Sequence, residues 1–318
     1  MGLSGLEKAR GFYGRIDREW QAMARSIDAA QLVAIKAITT VNRSGYSLPV
    51  SVFLDMAGVD SVKSISINDN SEDDVIILDA RGYRFRHRMF AEYVFRYHLS
   101  SAEEYELSLR VAKSLAPLVS SASMRRRTYP VLIIRQLMDK DGVMAVSPTV
   151  EKARTWYGEL EGHFDWNGRF WDQRALLESD AHFHDRAYSY AKKKVLVHRH
   201  AFSLNTLGRV RLKASVDEMV QLDLAWDYFR EGEAYLSESL AHAQGFWDLH
   251  EHPLMTVFSY LVEFSERLEF DDPRIIALDQ VRVKWTRDVG RFNVRSAGVL
   301  EKMTLAQEKM LKSMVRPS

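Results

Sequence analysis

Cysteine is absent from all 318 residues of this chain, which excludes disulfides, thiolate metal sites and cysteine nucleophiles. The absence fits a reducing compartment, so a cytoplasmic location is expected. Proline and glycine are scarce as well, at 7 and 16 residues, leaving few breakers to interrupt helices. Nowhere do about eighteen apolar residues run together, so no transmembrane helix and no membrane partner are predicted. The N-terminal segment mixes charges with isolated apolar side chains and lacks the apolar stretch of a signal peptide. Gly2 has no Ser or Thr where the myristoylation pattern requires one. An excess of one charge is missing too: 44 basic and 43 acidic residues leave a formal net charge of +1. The chain as a whole is therefore not an electrostatic binder of nucleic acid.

What is present is an ordinary globular balance, 46% hydrophobic and 27% charged, with 7 Trp, 13 Tyr and 15 Phe to build a core. The length suggests two domains, or one domain and a repeat array. Apolar residues recur at helical spacing through most of the chain. Residues 29–41 read as a buried helix stopped at Asn42–Gly45. A short helix follows from Leu48-Pro49 to an αL stop at Gly58. Residues 61–66 form a third short segment of uncertain type. Val75–Leu78 and Tyr83–Arg86, around the turn at Asp79–Gly82, read as a β-hairpin. Ser100 or Ser101, with Glu103 and Glu104 behind it, is the expected cap of a helix reaching about Val119. Residues 120–127 (SSASMRRR) read as a linker or exposed loop, and Pro130 as a first-turn residue of the next helix.

Beyond Val150 the reading is helix after helix, over 154–160, 170–178, 181–198, 202–213, 216–244, 252–268, 273–290 and 291–314. Trp171, Ala175, Ala187 and Ala191 match a tetratricopeptide scheme, in which small residues let antiparallel helices approach. Gly208 lies 33 residues after Ala175, close to that repeat's period. An irregular helical bundle is the plainer alternative. The expected fold is mainly α: a winged-helix-like unit with a small hairpin over residues 1–125, then tetratricopeptide-like helices over 126–318.

The segment YRFRHRMFAE, Tyr83 to Glu92, resembles the arginine–histidine segment closing the winged-helix part of bacterial STAND-type P-loop NTPases. FWDQRALL (170–177) and LNTLG (204–208) resemble the helix pairs that follow it there, so the likeness spans roughly residues 25–215. It implies a sensor or regulatory part of a switch protein of the antiphage-defence or signalling class, recognising a protein or an invader-derived ligand. By the same resemblance His87, with Arg84 or Arg86, would contact nucleotide phosphates. One departure matters: no G-x-x-x-x-G-K-[ST] loop occurs, so the chain is expected not to hydrolyse nucleotide. It is either a part of a larger NTPase or a stand-alone relative.

Other candidates each have a plainer explanation. The Arg84–Arg88 cluster also suits a solvated hairpin edge, and Arg88 with Glu92 an i,i+4 pair. Arg125, Arg126 and Arg127 form a basic patch that would suit nucleic acid, the alternative being a winged-helix regulator. Acidic Asp69, Glu72, Asp73 and Asp74 near the third segment count against that reading, so nucleic acid is disfavoured as a partner. On the concave face expected of a helix-pair array, Trp166, Arg174, Asn205 and Arg209 are the partner-binding candidates. His182/His184, His198/His200 and His250/His252 are each two apart, which on a helix separates the rings by about 200°. No metal site, cofactor or catalytic constellation is therefore expected. The oligomeric state is left open.

Overall fold

The computed structural model describes residues 3–61, 75–243 and 247–314. Among them the chain is mainly α-helical, with one two-stranded antiparallel hairpin. It divides into two compact units, 1–164 and 165–318. The division falls after the 125/126 boundary read from the sequence, because helices beyond residue 126 pack on the first unit's central helix.

In the first unit α1 (Leu3–Ser26) precedes α2 (Ala29–Asn42) and α3 (Val50–Ala57). Asp28 caps α2 by accepting from Gln31 N, and Gly58 ends α3 in the left-handed region at φ 66°. The hairpin pairs β1 (Ile76–Asp79) with β2 (Gly82–Phe85). Both strands lie one residue nearer the turn than the sequence reading, in the same pairing of Leu78 with Tyr83, and Asp79 Oδ1 closes the turn by accepting from the backbone N–H of both Arg81 and Gly82. A third strand-like contact joins it. Leu48 and Tyr83 exchange reciprocal backbone hydrogen bonds of 2.7 and 2.8 Å just before Pro49. Gly82, at φ 138°, allows this approach, since a Cβ there would lie 2.0 Å from Leu48 O.

Then follow α4 (Arg88–His98), α5 (Ser101–Leu115), α6 (Ser121–Arg126), α7 (Tyr129–Leu137), α8 (Lys140–Val146) and α9 (Val150–Phe164). Ser100 and Glu103 make a capping box at α5, satisfying two helix-end donors. Buried Phe53, Tyr83, Phe85 and Phe90 tie α3, the hairpin and α4 together, with the Phe53 and Tyr83 rings 4.3 Å apart. α5 packs against α2, α3, α7, α8 and α9. Trp156 Nε1 donates to Ser108 Oγ at 3.0 Å, so this buried indole is satisfied. Two expectations are corrected here. Residues 120–127 are not a loop: a Ser120–Ser123 capping box nucleates α6. The helix read over 154–160 is longer: α9 runs to Phe164 and carries Gly158 and Gly162, which both face open space on its surface.

The second unit contains α10 (Gly168–Asp180), α11 (His184–Val197), α12 (Ala201–Val216), α13 (Leu222–His242), α14 (Trp247–Ser265), α15 (Arg274–Arg291) and α16 (Ala297–Met314). Consecutive helices pack against each other from α10 to α16, and α14 also packs on α12. Ala175, Ala187, Ala191, Leu207 and Val210 form one buried cluster. Gly208 and Gly232 bring α12 and α13 into backbone contact: a Cβ on Gly208 would meet Gly232 O at 2.8 Å. The larger cluster centres on Phe229, Phe258, Phe264 and Trp285. The single helix expected over 216–244 is broken at 217–221, where Asp217 Oδ1 accepts from Met219 N at 2.9 Å. The third winged-helix segment expected over 61–66 lies outside the described residues apart from Ser61.

Candidate functional site

The turn of the hairpin, the end of α2, the start of α4 and the start of α7 border an open cavity of about 500 Å³. Its lining includes Asn42, Ser47, Asp79, Arg81, Arg84, Arg88 and Tyr129. Each position has a local cause. Arg81 sits in the turn that Asp79 closes, and Arg84 lies on β2 opposite Ile77. Arg88 is the first residue of α4, where unpaired backbone N–H groups carry partial positive charge. Tyr129 is fixed from both sides by Ser47: the Ser47 N–H donates to its hydroxyl, and the hydroxyl donates to Ser47 O at 3.2 Å.

Three guanidinium groups therefore share one cavity with a single carboxylate. Asp79 binds Arg84 Nε at 2.8 Å and Ser47 Oγ at 3.1 Å. Burial alone would raise the Asp79 pKa. The Arg81 backbone N–H, the Arg84 guanidinium and the Ser47 hydroxyl outweigh it and hold the carboxyl below its ordinary value. Arg88 reaches Glu92 only at 3.7 Å with an exposed side chain. Arg81 has no carboxylate partner among the described residues; its guanidinium lies 5.3 Å from the Tyr129 ring centroid. Such an arrangement can accept an anion with several oxygens, because planar guanidinium donors match phosphate or carboxylate edges.

Of the sequence-derived phosphate contacts, Arg84 lines this cavity. Arg86, whose N–H bonds Val75 O at 2.9 Å, and His87, exposed at the N-cap of α4, are not among its lining residues. Arg81 and Tyr129 were not singled out in the sequence. Alternation along Tyr83–Arg86 carried no information about the turn, and Tyr129 is 82 residues from Ser47.

The basic patch is exposed. Arg125 and Arg126 end α6, and Arg127 adopts φ 51° as its left-handed cap. In the second unit Arg174 is buried rather than on a groove. It donates to Tyr190 Oη at 2.8 Å and stacks over the Phe170, Trp171 and Tyr190 rings. Trp166 and Asn205 are half-buried, and Arg209 is exposed and bonded to Tyr260.

The histidine pairs behave differently from one another. His200 caps α12 by accepting Ser203 N–H on Nδ1, and His250 stacks on Phe292 with ring centroids 4.2 Å apart. His182 is not helical. It occupies the left-handed region at φ 61° between α10 and α11, so the 200° separation does not apply. His182 Nδ1 and His184 Nε2 both approach Asp217 Oδ2 at 2.6 Å. Burial works to raise the Asp217 pKa, but hydrogen bonds from both rings and from Met219 N–H dominate and lower it.

No family model, curated protein or solved structure matches this chain. No helix among the described residues is long and apolar enough to cross a membrane.

Proposed function

We propose that the chain is a non-catalytic sensor or regulatory module that binds a phosphate-bearing ligand at the hairpin and a protein partner through its second unit. The carrying observation is the convergence of Arg81, Arg84 and Arg88 on one cavity of about 500 Å³ that holds a single acid. That volume suits a nucleotide-sized anion. The reading agrees with the resemblance of residues 83–92 to the junction in STAND-type NTPases, and moves the phosphate contacts from His87 and Arg86 to Arg81 and Arg88 alongside Arg84. The sequence lacks a phosphate loop, so binding without turnover is the activity this reading requires.

Support for a tetratricopeptide-like partner-binding array comes from the pairwise packing of α10 to α13 and the buried small residues Ala175, Ala187, Ala191 and Gly208. Arg174 drops out as a contact on this reading, leaving Trp166, Asn205 and Arg209. A defence role and a cytoplasmic location belong to the same proposal.

The test is isothermal titration with inorganic phosphate, ADP and ATP at low and at 0.5 M salt. Binding should strengthen with phosphate count, and Arg81→Ala and Arg84→Ala should each weaken it about tenfold, as loss of one charge-assisted contact implies. Equal affinity of wild type and both variants would remove the site. The alternative, a nucleic-acid regulator using Arg125–Arg127, predicts duplex DNA binding with a steep salt slope that the Arg81 and Arg84 variants leave unchanged.

A further inference from the structure

We propose that His182, His184 and Asp217 form a binding site for one zinc-class divalent cation, with solvent in the fourth position. Three donor atoms of three side chains, His182 Nδ1, His184 Nε2 and an Asp217 oxygen, lie within 4.8 Å of one another. Two imidazoles and one carboxylate are the donor set that suits zinc, and three protein ligands with one open position is a common arrangement for it.

The backbone makes the convergence. The left-handed residue His182 reverses the chain after α10, while α11 starts at His184, so two residues that helical spacing would set apart face the same point. Asp217 sits at the break between α12 and α13, and its Oδ1 is already held by Met219 N–H. That leaves Oδ2 directed at the two rings.

Around a tetrahedral ion with ligand bonds of about 2.0–2.1 Å, donors stand roughly 3.3 Å apart. The two 2.6 Å hydrogen bonds must therefore open by several tenths of an ångström. His182, whose side chain is 68% exposed, can open its own contact freely, whereas the contact between His184 and Asp217, 11% and 6% exposed, must open by a small rotation of the carboxylate or the ring. The ligating nitrogen of each ring must give up its proton, to the far ring nitrogen or to solvent, and the cation takes the vacated lone pair beside the carboxylate.

His184 Nδ1 is buried with no hydrogen-bond partner among the described residues. A ligating histidine usually has its far nitrogen tied to a carbonyl or carboxylate, and losing such a tie costs about 10–100-fold in affinity. The site should thus be weaker than a fully supported zinc site by about that factor. Bound metal would fasten the turn between α10 and α11 to the break between α12 and α13.

The test uses the full chain stripped with a chelator, titrated with Zn²⁺ by calorimetry and with Co²⁺ by visible absorption. One equivalent per chain and an intense low-symmetry Co²⁺ spectrum are expected. His182→Gln should weaken binding at least tenfold, His184→Gln and Asp217→Asn should abolish it, and His198→Gln should leave it unchanged. Should Asp217→Asn or His184→Gln fail to fold by circular dichroism, the exposed His182→Gln variant decides alone. No binding by wild type at 100-fold excess metal, or wild-type affinity in His182→Gln, overturns the proposal.

Discussion

Replacing Gly208 by alanine should destabilise the protein, although alanine is the better helix former. A Cβ at 208 would lie 2.8 Å from Gly232 O and 2.8 Å from two carbons of Leu236. A carbonyl inside a neighbouring helix cannot yield without shifting α13, and Leu236 is wholly buried. Overpacking of this kind costs about 1–3 kcal/mol and more where backbone must move, while the gain in helix propensity returns only about 1 kcal/mol. A net loss of about 2 kcal/mol is expected, which for a unit of this size lowers Tm by roughly 4–8 °C. Gly158→Ala is the matched control. That residue is exposed within α9 and has nothing within 4 Å of its Cβ position, so the change should stabilise by up to about 1 kcal/mol. Urea unfolding followed by circular dichroism measures both. A Gly208→Ala protein as stable as wild type would refute the close approach of α12 and α13.

Other outcomes follow from buried charge and from capping. Lys194 is buried, bonded to Asp172 Oδ1 at 2.6 Å and Thr206 Oγ1 at 2.8 Å. Asp172→Ala should cost about 3–5 kcal/mol in chemical unfolding by leaving that ammonium unpaired, and adding Lys194→Met should recover much of the loss. Glu103, bonded by Lys36 and by the Ser100 N–H, has its pKa lowered from 4.5 to about 2. A depressed carboxylate contributes stability above its unfolded pKa and loses it as pH falls through the folded one. The stability difference between wild type and Glu103→Gln should therefore shrink between pH 4.5 and 2. Its size is about 1 kcal/mol, because the side chain is 47% exposed and screened by solvent. Gly82→Ala should disrupt the hairpin, since its φ of 138° and the 2.0 Å approach to Leu48 O both exclude a side chain. Loss of the amide chemical-shift signature of residues 76–85 would report it.

Local signals carried much of this fold. The αL stop at Gly58, the Ser100–Glu103 cap and the Pro130 helix start follow from chemistry within four residues, and the structure contains each. What escaped depends on contacts distant in sequence or on weak local patterns. Along α1, Ile16 and Trp20 are buried, too sparse a stripe to stand out among charges. The helices read over 273–290 and 291–314 are instead separated by several residues: α15 ends at Arg291, the chain turns at Asn293, φ 50°, and α16 starts at Ala297. Arg84 could be chosen from its cluster. Arg81 could not, because its place in the cavity depends on the turn register and on Tyr129. The histidine spacing misled for a related reason: a 200° separation supposes a helix at 182, where a left-handed residue instead lets His182 and His184 meet at Asp217.

The Leu48–Tyr83 bridge also bears on self-association. With β1 on one side and Leu48 on the other, β2 is an interior strand around Tyr83. The next residue along that outer edge, Pro49, has no N–H to offer. An extended segment from another chain cannot continue the ladder there, so the hairpin presents a blocked rather than a templating edge on that side. One bridge and one imino acid thus close this side of a small sheet to strand addition.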